Sequence, residues 1–209
     1  MTSQDSKKNI IERVFIFFIK KLSNFFWDVA DTWSYKSSTI ARWYNNSIEK
    51  EYHKECSIYG LQKNLRVLHI GCGAYPLTEI VLAECCSGAL VGIDKNPLAA
   101  QRAREVIQRH HLQNRVTIHQ GNGIEYPISE FDLILISSCS LPKVQILEHL
   151  FNEAKHQTTI IVRELRMASA DVLHCISEHP EIEMTKHMQH NPFPFYGLLG
   201  WDTFYLQKN

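Results

Sequence analysis

RVLHIGCGAYPLTEIVLAE, residues 66–84, carries the pattern that decides the fold. The short apolar run Val67–Ile70 predicts a buried strand, and two glycines follow it at once. Glycine lets the backbone turn sharply and lets a ligand approach where a Cβ would collide. Pro76 suits the first turn of a helix, where its missing N–H costs no hydrogen bond. The stretch therefore predicts a strand, a tight loop over Gly71–Gly73 and a helix.

From this stretch onward, short apolar runs alternate with longer amphipathic segments. This alternation predicts an α/β fold, a Rossmann-like doubly wound parallel sheet with right-handed crossovers. Two late segments, joined by a loop that contains prolines, predict a terminal hairpin. The predicted strands are 67–70, 89–93, 116–119, 131–136, 159–162, 181–187 and 203–206, and the predicted helices are 77–86, 97–112, 143–155 and 167–178.

Composition and charge narrow the class of protein. The chain has 209 residues, of which 44% are hydrophobic and 21% charged, enough to bury a core. Basic and acidic residues number 22 each, so the net charge is zero. A nucleic-acid partner is not expected, because its phosphates would call for a basic surface. Six cysteines without a C-x-x-C pair, and no recognisable secretion signal, predict reduced thiols and a cytoplasmic location.

The N-terminal segment Asn9–Trp33 is strongly apolar and its apolar residues recur at helical spacing. Lys20 and Lys21 interrupt it, and the apolar run is too short to span a bilayer. The favoured interpretation is a helix packed on the domain or covering its pocket. The alternative is a peripheral membrane or partner contact through residues 9–33, with the lysines outside. Residues from about 34 to 62 also show helical spacing and predict a further helix that stops near Gly60.

Two polar markers predict a ligand at the carboxyl edge of the sheet. Asp94 ends the second apolar run about 20 residues after the glycines, where nucleotide-binding folds place a ribose-binding acid. Asn122 follows the third run, and its amide can reach the edge of an adenine ring. Plainer readings are a helix N-cap for Asp94 and an ordinary Asn-Gly turn at 122–123. A third glycine is replaced by Pro76, which disfavours a dinucleotide and favours S-adenosylmethionine, an adenosine ligand without a pyrophosphate.

The motifs HIGCG, GIDKNP, HQGNG and FDLILISSC resemble those of class I S-adenosylmethionine-dependent methyltransferases, over roughly residues 60–209. The resemblance implies a seven-stranded sheet with an antiparallel last strand, formed by a cofactor-binding domain over residues 63–209 after an N-terminal helical extension or cap over residues 1–62. Ser137 and Ser138 would border the sulfonium and the acceptor. At the position of His69 the family usually has an acidic residue, and that acid helps to hold the methionine amino group of the cofactor. The implied cofactor-binding residues are Gly71, Cys72, Gly73, Asp94, Lys95, Asn122, Gly123 and Ser137.

A narrower resemblance concerns the glycine loop and the helix after it. Residues Pro76–Ala83, PLTEIVLA, are similar to a segment of the nicotianamine synthase family, which also lacks the acid at the position of His69. Members of that family transfer the 3-amino-3-carboxypropyl group of S-adenosylmethionine instead of its methyl group. The apolar part of the match is also typical of any buried helix.

Three functions follow as hypotheses: a methyltransferase acting on a small molecule or a protein, an aminocarboxypropyl transferase, and a non-catalytic cofactor- or partner-binding protein. The sequence specifies neither the acceptor, the oligomeric state nor a catalytic residue. The 11 histidines show no tight ligand spacing, so no functional metal is predicted. Candidate general bases in the helical part are Tyr35, Tyr44, Glu51, Tyr52, His53 and Glu55.

Overall fold

The computed structural model describes residues 10–59, 64–191 and 200–209; of these, residues 10–13, 43–45, 47 and 59 are described by their backbone alone. Two helices precede an alternation of strands and helices. The helices are α1 (Ile10–Lys36), α2 (Ser38–Tyr59), α3 (Leu77–Cys85), α4 (Pro97–Arg109), α5 (Lys143–Glu153) and α6 (Ser169–Ser177), with a 3₁₀ turn at Arg166–Ala168. The strands are β1 (Val67–Ile70), β2 (Leu90–Asp94), β3 (Val116–Gln120), β4 (Leu133–Ile136), β5 (Thr159–Leu165), β6 (Ile182–His190) and β7 (Trp201–Lys208).

The seven strands form one sheet in the order β3-β2-β1-β4-β5-β7-β6. The first five are parallel to their neighbours, whereas β7 runs antiparallel to both β5 and β6. This is the Rossmann-like sheet with an antiparallel last strand that the sequence predicted, so the prediction of the fold class is confirmed.

Side chains that alternate along each strand build a core on both faces of the sheet. Val67, for example, packs with helices α2, α3 and α4, whereas Leu68 packs with α5 and α6. Helix α3 is buried from Leu77 to Ala83, because it is covered by α2 on one side and the sheet on the other. Because both faces of the sheet are buried, its central strands are apolar at almost every position.

The terminal hairpin is longer than predicted. Strand β7 lies between β5 and β6, and its backbone is paired on both sides. Polar residues such as Gln189 on β6 and Lys208 on β7 therefore extend the strands beyond the bounds that hydrophobicity indicated. Of the predicted loop, residues 188–190 and 201–202 belong to the two strands, and residues 192–199 lie outside the described residues. The predicted domain boundary between residues 62 and 63 also lies outside them and stays a prediction.

Helix α1 presents its polar face to the rest of the protein. Asn24 and Asp31 line a cavity, and Lys20 reaches the buried Glu164 at 3.2 Å, so Lys20 faces the protein instead of the outside where the membrane alternative placed it. The opposite face is apolar and exposed. Among the described helices, none combines the length and the hydropathy that a membrane crossing requires. The exposed apolar side chains of α1 are Val14, Phe15, Phe17, Phe18, Leu22, Phe25, Val29 and Trp33.

Candidate functional site

A cavity of about 390 Å³ opens at the carboxyl ends of the parallel strands, beneath helices α1 and α2. Open α/β sheets bind their ligands at this edge. Every cofactor-binding residue predicted from the sequence lies on its wall: Gly71, Cys72, Gly73, Asp94, Lys95, Asn122, Gly123 and Ser137.

The two glycines after β1 are required by the backbone. Gly71 has φ = +85° and Gly73 has φ = +70°, in the left-handed region that side chains with a Cβ rarely adopt. A Cβ on Gly71 would lie 2.1 Å from Ser140 Oγ, and one on Gly73 would lie 2.6 Å from Asp31 Oδ2. Each glycine therefore leaves space for a side chain that packs against the loop: Ser140 at Gly71 and Asp31 at Gly73.

Asp94 lies at the end of β2 and holds the glycine loop. Its Oδ2 accepts a hydrogen bond from Gly73 N at 3.0 Å, and its Oδ1 accepts one from Asn96 N at 2.9 Å. The N-cap of α4 is Asn96, whose side chain accepts from Leu98 N at 3.0 Å. The structure therefore gives the capping role to Asn96 and leaves Asp94 facing the cavity, as the ribose-binding prediction requires.

His69, which replaces the usual acid of related methyltransferases, is buried with both ring nitrogens engaged. Nδ1 lies 2.7 Å from Glu79 Oε1 and Nε2 lies 2.8 Å from Ser137 Oγ. An imidazole ring has a nitrogen at each of these positions, so His69 bridges the Glu79 carboxyl group and the Ser137 hydroxyl group. Gly92 leaves space for this pair, since a Cβ there would lie 2.4 Å from Glu79 Oε1. His69 is therefore a strand residue whose ring is held by its neighbours and not by a ligand.

Asp31 of helix α1 reaches down onto the glycine loop. Its carboxylate accepts hydrogen bonds from the backbone N–H groups of Ala74 and Tyr75, the latter at 2.9 Å. Burial raises the pKa of Asp31 to about 8, and the nearby charges of Asp94 and Asp28 act in the same direction, against the two backbone hydrogen bonds. The helical cap thus contributes an acid to the cavity.

A buried ion pair borders the cavity where α2 meets β5. Arg163 Nη2 donates to Glu55 Oε2 at 2.6 Å, and Nη1 donates to Thr78 Oγ1 at 2.8 Å. The guanidinium lies 3.7 Å from the centre of the Tyr52 ring, a cation–π contact. Glu55 also accepts from Thr203 Oγ1 at 2.7 Å. Arg163 and Tyr52 both line the cavity, so this end has a polar, ordered wall.

A buried lysine supports the loop after β4 from behind. Lys143 Nζ donates to the backbone carbonyls of Ser137 and Arg163, the latter at 3.0 Å. Burial lowers its pKa to about 8. The lysine thereby ties together the ends of two strands whose residues face the cavity.

The predicted general bases are largely engaged elsewhere. Tyr35 donates to Glu105 on α4, and Glu51 contacts His190 Nδ1 at 2.9 Å. Of the five candidates whose side chains are described, Tyr52 alone lines the cavity; Tyr44 lies outside the described side chains. Burial raises the pKa of Tyr52, so it is a neutral phenol and no catalytic base is assigned.

Titratable residues also meet away from the cavity. Cys175 and His179, four apart in sequence, lie with Glu148 close enough for a metal ion, and Glu49, His53 and Glu84 form a second such group. In the first group the side chains bond one another: Cys175 Sγ lies 3.5 Å and His179 Nε2 3.1 Å from the Glu148 carboxylate. The prediction of no functional metal stays a prediction.

Sequence reasoning missed three residues of the site, Asp31, Arg163 and Lys143. Arg163 left a signal, a charge at the end of the apolar run that forms β5. The other two left none, because their partners are distant in sequence or are backbone groups.

Comparison with known proteins gives a family match and two curated relatives. The sequence pattern of the family described as "Methyltransferase domain" matches residues 61–203. An L-histidine 2-aminobutanoyltransferase of Yersinia pestis is 27% identical over 120 residues, which are 57% of this chain and 45% of that protein. A ribosomal protein L11 methyltransferase of Burkholderia thailandensis is 28% identical over 111 residues, 53% of this chain and 35% of that protein. The chain thus spans less than half the length of each of these curated relatives.

A solved structure extends the likeness of fold to the helical part. A mutant of the nicotianamine synthase MtNAS, in complex with S-adenosylmethionine, superposes with a TM-score of 0.71 at 18% identity, over 98% of this chain and 80% of that chain. The family pattern covers more than half of the chain. The chain therefore belongs to the methyltransferase-domain family of S-adenosylmethionine-dependent enzymes, as the resemblance predicted.

Proposed function

We propose that the chain is an S-adenosylmethionine-dependent methyltransferase acting on a small-molecule or protein acceptor. The supporting observation is that the glycine loop, Asp94, Asn122 and Ser137 line one cavity at the carboxyl edge of the sheet. Asp94 accepts hydrogen bonds from the ribose, Asn122 contacts adenine, and Ser137 borders the sulfonium. No nucleic acid is expected as acceptor, since the chain has no net positive charge.

The chemistry needs little from the protein beyond orientation. The sulfonium carbon is already an activated electrophile, so the acceptor must lie in line with the breaking C–S bond, away from water. Helices α1 and α2 cover the crevice and supply that exclusion. Cys139 lines the cavity, but burial raises the pKa of its thiol to about 11, which keeps it protonated near neutral pH.

A second candidate is transfer of the 3-amino-3-carboxypropyl group from the same cofactor. Two observations favour it. The Yersinia pestis relative is named as a 2-aminobutanoyltransferase, and the likeness to MtNAS includes both N-terminal helices. In this reaction a different carbon of the sulfonium is attacked, so the acceptor would approach from the side of the amino acid portion.

Product analysis separates the candidates. The purified protein is incubated with S-adenosylmethionine and cell extract, and the nucleoside products are identified by mass spectrometry. S-adenosylhomocysteine supports methyl transfer, whereas 5′-methylthioadenosine supports the second candidate. Because S-adenosylmethionine also decomposes to methylthioadenosine, the Asp94→Ala protein is the matched control. Cofactor binding without either product contradicts both and leaves a non-catalytic binding protein.

We also propose a compartment and a contact surface for the protein. The cytoplasm is the expected compartment, because all six cysteines are free thiols. A membrane or partner contact through residues 9–33 is supported by the apolar, exposed side of α1. Vesicle flotation tests binding to a lipid surface, and sedimentation of the purified protein tests binding to a protein partner. A monomer that binds neither vesicles nor a protein contradicts both.

A further inference from the structure

S-adenosylmethionine carries an α-ammonium group that needs an acceptor, and the residue that related methyltransferases supply for it is absent. His69 stands in its place, and its ring is held between Glu79 and Ser137. Glu79 is 1% exposed and does not line the cavity. No carboxylate at this position therefore reaches the cofactor.

Among the described residues, three carboxylates line the cavity: Asp28, Asp31 and Asp94. Asp94 lies at the end of β2, and the proposed function assigns its remaining acceptor capacity to the ribose hydroxyls. The two aspartates of α1 remain, and they differ in position. Asp31 accepts hydrogen bonds from the glycine loop, whereas Asp28 is exposed to solvent and lies one turn earlier on the helix.

Asp31 lies on the glycine loop, which the resemblance to class I methyltransferases assigns to the amino acid portion of the cofactor. Its Oδ2 is 2.6 Å from the point where a Cβ of Gly73 would lie, and its oxygens accept from Ala74 N and Tyr75 N. A carboxylate offers about four lone-pair sites, so two backbone hydrogen bonds leave acceptor capacity for an ammonium. The two N–H groups also fix the direction in which the carboxylate points.

We propose that Asp31 binds the α-ammonium group of S-adenosylmethionine, taking the place of the acidic residue that His69 replaces. This inference rests on the proposed function. It assigns the recognition of the amino acid portion to the helical cap instead of to strand β1.

The electrostatics of the cavity agree with this role. Burial raises the pKa of Asp31 to about 8, and the charges of Asp28 and Asp94 add to it. A cation within hydrogen-bonding distance favours the ionised carboxylate and lowers the pKa again. An ammonium ligand would therefore stabilise the ionised form of Asp31 beside its two acidic neighbours.

The test compares ligands that differ in the amino acid portion. S-adenosylhomocysteine has the ammonium, its des-amino analogue 5′-S-(3-carboxypropyl)-5′-thioadenosine lacks only that group, and 5′-methylthioadenosine lacks the whole portion. Calorimetry gives their affinities for the wild-type, Asp31→Asn and Asp28→Asn proteins. We expect Asp31→Asn to weaken S-adenosylhomocysteine about 10- to 100-fold, as loss of a charge-assisted hydrogen bond does. The other two ligands should change less than about twofold.

Each other outcome contradicts the proposal. Equal weakening of all three ligands would mean that Asp31 only holds the loop. Tighter binding of S-adenosylhomocysteine would mean that Asp31 occupies the place of the ligand carboxylate. A matching loss in Asp28→Asn would transfer the role to that residue. The wild-type comparison of S-adenosylhomocysteine with its des-amino analogue needs no variant, and equal affinities there also overturn the proposal. If the wild type binds none of the three ligands, the proposed function fails with it.

Discussion

Replacing Glu55 with leucine should lower the free energy of unfolding by about 3–5 kcal/mol, because the Arg163 guanidinium then stays buried without its carboxylate. The side chains of this pair are 1% and 4% exposed, so water cannot replace the lost partner. Thr203 Oγ1 loses its acceptor as well. Such a loss is a large part of the 5–15 kcal/mol typical of a domain.

The assay is urea unfolding followed by circular dichroism, on the wild type, both single variants and the double variant Glu55→Leu/Arg163→Met. The double variant should recover most of the stability, because no unpaired charge remains buried. The matched control is Glu130→Leu, which breaks the Arg66–Glu130 pair, whose side chains are about half exposed; it should change stability by less than about 1 kcal/mol. A Glu55→Leu loss as small as that of the control would refute the reasoning, and so would a double variant as unstable as the sum of the singles.

Asp94→Ala should weaken binding of S-adenosylhomocysteine by about 1–3 kcal/mol in calorimetry, through loss of charge-assisted hydrogen bonds; unchanged affinity in a folded variant would remove Asp94 from the site. Without cofactor, the raised pKa of Asp31 means that the folded state keeps a proton that the unfolded state has lost, so this group makes stability fall as pH rises from about 4 to about 8. Asp31→Asn should flatten that part of a denaturation series, and parallel curves would contradict it. Lys143, with its pKa lowered to about 8, acts in the opposite direction: its contribution raises stability between about pH 8 and 10.5, and Lys143→Met should abolish that rise. Phe18→Ser with Phe25→Ser should leave stability within about 1 kcal/mol, since both rings face solvent; a large loss in thermal unfolding would place them in a core.

The sheet and the cofactor loop could be predicted because their signals are local. Val67–Ile70, the glycines after it and Asp94 each carry their meaning within a few residues, through apolar runs and backbone conformation. The cap could not be predicted in the same way. Asp31 meets Tyr75 across 44 positions and Glu55 meets Arg163 across 108, and no local pattern encodes such contacts.

The same limit applies to helix α1. Its apolar period predicts a helix, but periodicity does not say which side faces the protein. Two polar contacts decide it, the pair of Lys20 with Glu164 and the hydrogen bonds of Asp31. Burying the polar side is favourable here because Lys20 and Asp31 both find partners, whereas many side chains of the apolar side are exposed.

The cavity extends beyond the part of the chain that the family pattern matches. The family pattern begins at residue 61, yet Asn24, Trp27, Asp31 and Tyr52 belong to the cavity wall. A chain that begins where the pattern begins and runs on to residue 209 would keep every strand, the glycine loop, Asp94 and Asn122, but it would lose the part of the cavity wall that α1 and α2 supply. A search for acceptors with such a trimmed chain would therefore test a cavity that lacks the part of its wall formed by α1 and α2.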